Sequence, residues 1–126
     1  MSKIILKILG ILHFLVSIFH LWLVNSIPYN ENIRQILPLM QIFAFWSCIT
    51  IFFFAVISLF YTEDMLTTRL GRALLVLIAA FYFIRAFEEY IFFKSFLVIF
   101  VPCVIIGLLH IGLIFLPYKP KKPRTY

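Results

Sequence analysis

Arg85, Glu88 and Glu89 are the residues of this 126-residue chain best able to do chemistry. They put one cation and two carboxylates at three- and four-residue spacing in an apolar run, residues 70–93, where the only other charge is Arg72 near its start. On a helix, both spacings bring a carboxylate within reach of the guanidinium. If the run crosses a bilayer, each uncompensated charge at its centre costs about 2.5–3.5 kcal/mol on insertion scales. Two readings follow. The trio is an internal ion pair that snorkels to the outer surface and fixes packing, or it is a site that binds a ligand or handles protons.

The three histidines form a second constellation. His13 and His20 are seven residues apart, or about 10 Å along a helix, too far for one mononuclear zinc. No HxxxH, ExxH or CxxC spacing occurs, so no metal site is expected. His13 and His110 differ by only about 5 Å in expected depth, which leaves a haem held from two helices as an alternative. The first reading is polar histidines satisfied in helix interfaces, with no cofactor. No Ser-His-Asp order, phosphate loop or dinucleotide fingerprint is present, so no residue is assigned a catalytic role. Four helices can still assemble a site from scattered residues.

Composition says what must position these groups. The chain is 64% hydrophobic and 13% charged, about half the usual charged share. A domain this small buries only roughly two-thirds of the surface its unfolded chain exposes, so the apolar excess must face lipid. Four runs, at about residues 4–24, 37–60, 70–93 and 96–116, each reach the roughly 20 residues a bilayer crossing needs. The expected fold is an all-α, up-down, four-helix membrane bundle over residues 1–116, followed by a basic, proline-rich tail over 117–126.

The breaks carry turn chemistry. The polar stretch 25–32 contains Pro28, Thr62-Glu63-Asp64 opens the second loop, and Thr67-Thr68 offers an N-cap for the third helix. Only Lys94 and Ser95 separate the last two spans. Lys3 and Lys7 ahead of an apolar stretch suggest a signal peptide. The stretch is long and no small-x-small cleavage site follows, so it is read as a retained helix.

Lys3, Lys7, Arg69, Arg72, Lys119, Lys121, Lys122 and Arg124 fall on one side of this arrangement, Arg34 and Lys94 on the other. That bias puts both termini in the cytoplasm. The net charge of +6 therefore marks topology and head-group contact. Nucleic acid is not expected, because the basic residues lack interleaved aromatics. The tail lies against anionic head groups or docks a partner. Cys48 and Cys103 lie inside apolar runs and read as small packing residues.

At 100° per residue each span has one small or polar stripe. The stripes are Gly10, His13, Ser17 and His20; Gln41, Ala44, Cys48 and Ala55; Tyr82, Arg85, Glu88 and Glu89; and Cys103, Gly107 and His110. Small residues allow close helix approach and polar groups avoid lipid, so the stripes should turn inward. His20, Gln41, Glu88 and Glu89 fall about 6–8 Å from the outer ends of their spans, and Arg85 about 12 Å. With Tyr82 they make the candidate ligand-binding set, an outer-leaflet polar pocket for a small amphipathic ligand, a lipid or a partner helix, in which Glu89, on the face of Tyr82, is the glutamate expected to face inward and to matter for the ligand. A transporter subunit with the Arg85 cluster on its path is a further alternative. The expected partners are membrane lipids, a second copy or a larger membrane protein.

In size and span arrangement, with Asn32-Ile33-Arg34 before the second span and Arg85 late in the third, the chain resembles the small four-span bacterial membrane proteins grouped as DoxX-like. That resemblance, with the richness in Ile, Phe and Lys, implies a bacterial inner membrane and no particular chemistry. The basic bias makes the topology testable. Reporters fused after Tyr126 and inserted within residues 28–32 should report opposite sides of the membrane, and the same side for both would refute the arrangement.

Overall fold

The computed structural model describes residues 1–26, 36–93 and 99–116. The described chain is helical. Its elements are α1 (Ser2–Ser26), α2 (Leu37–Phe60), a short α3 (Thr62–Thr67), α4 (Arg69–Glu88), a π-helical turn (Glu89–Phe93) and α5 (Val101–Phe115). Three stretches, Ser2–Trp22, Leu37–Phe60 and Arg69–Ile91, are long and apolar enough to cross a membrane, and Val101–Phe115 is a shorter apolar helix. The expected hairpin at Lys94-Ser95, most of the first loop and the tail 117–126 lie outside the described residues. The chain groups into two compact units, residues 7–60 and residues 1–6 with 61–126.

In the first unit α1 and α2 run antiparallel. α1 turns Leu9, Gly10, His13 and Ser17 inward at helical spacing and leaves Ile8, Ile11, Leu15 and Ile18 exposed. α2 opens on Leu37-Pro38, where proline's missing N–H costs nothing, and buries Ile51, Phe54, Ala55, Ile57 and Ser58. The two stripes meet through a reciprocal clasp. Ser17 Oγ lies 3.1 Å from the Cys48 carbonyl, and Cys48 Sγ lies 3.4 Å from the Ser17 carbonyl. In hydrocarbon such bonds average only about 0.6 kcal/mol. They fix register more than stability.

In the second unit α4 and α5 form another antiparallel pair. α4 buries Gly71, Leu75, Ile78, Ala79, Tyr82 and Ala86, and α5 buries Cys103, Ile106, Gly107, His110 and Leu113. A Cβ on Gly107 would stand 2.9 Å from the Phe83 ring, so the missing side chain admits that ring between the helices. Residues 99–100 are π-helical, and the start of the fourth span expected at residue 96 lies outside the described residues. α5 runs from Val101, with Pro102 in its first turn. Proline is tolerated there and would break a helix interior. α5 ends at Leu116, whose extended backbone (φ −77°, ψ 126°) suits a residue preceding proline.

Thr62-Glu63-Asp64 begins α3 and does not open a loop. Two carboxylates in the first turn suit the helix dipole, and Thr62, Met65 and Leu66 are buried beneath them. Lys3 Nζ holds Glu63 at 2.6 Å. Thr68 ends α3 in extended conformation and starts α4. Its hydroxyl donates to the Asp64 carbonyl at 2.7 Å and accepts from the Gly71 amide at 2.9 Å. α3 and α4 meet so closely there that a Cβ on Gly71 would overlap the backbone of Asp64 and Met65. Gly71→Ala should therefore destabilise the protein by about 1–3 kcal/mol, and Thr68→Ala by about 1 kcal/mol. Helix melting in mild detergent measures both, and an unchanged melting temperature for Gly71→Ala would contradict the packing of this corner.

Candidate functional site

The residues singled out by chemistry divide between the two units. Tyr82, Arg85, Glu88, Glu89 and His110 belong to the α4–α5 unit, and His13, His20 and Gln41 to the α1–α2 unit.

Arg85 lies in the last turn of α4, where a cation suits the dipole. Its Nη2 donates to Glu89 Oε2 at 2.9 Å, and its Nη1 lies 3.6 Å from Glu88 Oε2. The carboxylates are not equivalent. The Glu89 side chain is 3% exposed, Glu88 is 50% exposed and Arg85 lies between at 33%. Helix geometry explains the split, because Glu89 falls on the same side of α4 as buried Tyr82 and Ala86, while Glu88 falls on that of exposed Ile84. Arg85 thus ties a buried acid to an exposed one.

Below the trio the interface stays polar. The Tyr82 ring lies nearly parallel to that of His110, 15° between planes and 6.5 Å between centroids. His110 Nδ1 lies 2.8 Å from the Ile106 carbonyl. A carbonyl only accepts, so Nδ1 carries the proton and donates. Cys103 is buried on the facing side of α5.

In the other unit His20 Nδ1 likewise donates to the Val16 carbonyl at 2.9 Å. His13 is fully buried, with its ring edge-on to Phe54 at 6.1 Å. Gln41 lines an open groove with Asn25, Phe45 and Trp46. Asn25 and Trp46 were not singled out by sequence, since both fall outside the polar stripes. Asn25 has one signal, its position at the end of α1, where amphipathic side chains gather; Trp46, well inside α2, has none.

Among the described residues no three His, Cys, Asp or Glu side chains gather as a metal site. The rings of His13 and His110 are packed against Phe54 and Tyr82. Such contacts fit satisfied interface histidines. The π-helical turn that starts at Glu89 was not expected, and turns of this kind recur at functional sites.

Removing the guanidinium leaves two neighbouring carboxylates, one of them buried. Arg85→Leu should therefore cost about 3–5 kcal/mol, as other broken buried pairs do. Glu89→Gln, which leaves Arg85 its exposed partner, should cost about 1–3 kcal/mol. Glu88→Gln should cost less than about 1 kcal/mol. Thermal denaturation of the three variants in detergent tests this order, and equal melting temperatures would show that burial of Glu89 does not matter.

Comparison with protein families, with curated proteins and with solved structures returns no match, so any function assigned to the chain has to rest on its own residues.

Proposed function

We propose that the chain is a non-enzymatic, four-span integral protein of a bacterial inner membrane, with both termini cytoplasmic. Its α4–α5 unit receives the polar head of an amphipathic molecule from the outer leaflet. The membrane assignment is supported by three spanning-length apolar helices and by the large hydrophobic side chains on their outer faces, among them Ile11, Ile18, Phe43, Phe53, Leu77 and Ile84. Soluble monomers rarely expose contiguous apolar surface on that scale.

The ligand reading is carried by the unequal exposure of the two glutamates. Glu89 is buried and occupies Arg85, while Glu88 is half exposed and only loosely engaged at 3.6 Å. Two carboxylates against one guanidinium leave an excess negative charge, and Glu88 is the group that presents it. Ile84, one turn below Glu88 on the same face, is exposed, as is Leu77 further along. A head group bearing an ammonium would meet Glu88 while its chain ran along this apolar ridge. Glu89 then orders the site and Glu88 recognises the ligand.

Phosphatidylethanolamine should accordingly raise the melting temperature of the detergent-purified protein more than phosphatidylglycerol with the same chains. Glu88→Gln should abolish the difference while leaving the lipid-free melting temperature nearly unchanged. Equal stabilisation by both lipids, or a difference that survives Glu88→Gln, would refute the reading.

A further inference from the structure

Arg85 can do more at the Glu88 site than hold Glu89. Its side chain is 33% exposed, and its Nη1 lies 3.6 Å from Glu88 Oε2, beyond hydrogen-bond range. Two opposite charges therefore stand side by side on α4 with only a loose contact between them. A guanidinium carries several N–H donors in a planar fork, and a carboxylate takes up only a pair of them. Arg85 can thus keep its 2.9 Å bond to Glu89 and meet a second anion as well.

The order of groups along the helix narrows what that anion is. Leu77 and Ile84 are exposed on the side of α4 that carries Glu88. Arg85 follows Ile84, and Glu88 stands about 4.5 Å beyond Arg85 along the axis. This surface reads hydrocarbon, cation, anion. A phosphoethanolamine lipid reads chain, phosphate, ammonium in the same direction, so each of its parts meets its complement. Its two-carbon tether keeps phosphate and ammonium close enough to reach neighbouring side chains. A phosphate alone would face two acids for one base. With an ammonium on Glu88, the charges alternate in sign from Glu89 through Arg85, phosphate and ammonium to Glu88. One loose contact is exchanged for two charge-assisted hydrogen bonds.

We propose that the site receives the zwitterionic phosphoethanolamine head of a lipid, with Arg85 holding the phosphate and Glu88 the ammonium. The proposal rests on the ammonium reading of Glu88 and adds the phosphate and its partner.

The test counts bound lipid on the full-length protein by native mass spectrometry in mild detergent. Three probes share one C18 chain: lysophosphatidylethanolamine, oleylamine and lysophosphatidic acid. If Glu88 acted alone, oleylamine would bind best, because its net positive charge suits a site with one acid in excess. Recruitment of Arg85 reverses that ranking. Lysophosphatidylethanolamine should bind about tenfold tighter than oleylamine, the scale of one charge-assisted hydrogen bond, and lysophosphatidic acid weakest. Oleylamine equal to or tighter than lysophosphatidylethanolamine in the unaltered protein would overturn the proposal. The ammonium reading would survive that result if Glu88→Gln abolished oleylamine binding.

Arg85→Leu combined with Glu89→Leu removes the buried pair as a unit, a change that folded proteins often tolerate, and keeps Glu88. It should retain oleylamine and lose the preference for lysophosphatidylethanolamine. A preference that persists there would overturn the assignment to Arg85. So would its loss in Lys94→Gln, which would place the phosphate on Lys94, a residue outside the described ones. Glycerophosphoethanolamine, the same head without a chain, should not displace the bound lipid even in large excess. Displacement would make the ligand a free head group and overturn the lipid assignment.

Discussion

Each long helix turns one stripe of small and polar side chains inward, and the helix contacts follow from those stripes. For helices in hydrocarbon no hydrophobic force draws them together, and association then rests on close contact and on the few hydrogen bonds such stripes supply. Ser17 and Cys48 supply them in one pair of helices, and Tyr82 stacked on His110 fills the same place in the other. Gly107 serves the same end by giving up its side chain to the Phe83 ring. Everything outside the stripes is free to be Ile, Leu or Phe, which is why so apolar a sequence can still specify definite contacts.

The stripes were also the legible part of the fold. Helical spacing alone placed Gly10, His13 and Ser17 on one buried face and Cys103, Gly107 and His110 on another, and turn chemistry marked Thr67-Thr68 as the start of α4. The α3 helix was not legible, because six residues are too few for a periodicity to show. At the candidate site, spacing could bring Arg85 to both carboxylates. The same spacing put Glu89 on the face of Tyr82, and Glu89 is the buried acid at 3% exposed, against 50% for Glu88. The groove at Gln41 was illegible. It depends on how residues of α1 and α2 come together, which no single helix encodes.

Arg85 illustrates how an apolar helix can keep charge. The guanidinium offers several donors in a fixed planar fork, and it lies at the boundary between a buried and an exposed acid. Lysine carries the same charge but would concentrate it on one of them. The geometry divides labour between the two acids, with one holding the cation in place and the other keeping the pair in touch with the outside.

The turn after Glu88 has a different kind of consequence. A π turn closes its hydrogen-bonded ring over five residues where an α turn uses four, so Glu89–Phe93 stores one residue of slack. Within it Glu89 stays buried, while Tyr90 and Ile91 are exposed. In terms of sequence length, this is the turn in which losing a single residue would leave an ordinary α turn. Anywhere in α4 itself, the same deletion would turn the polar stripe away from α5.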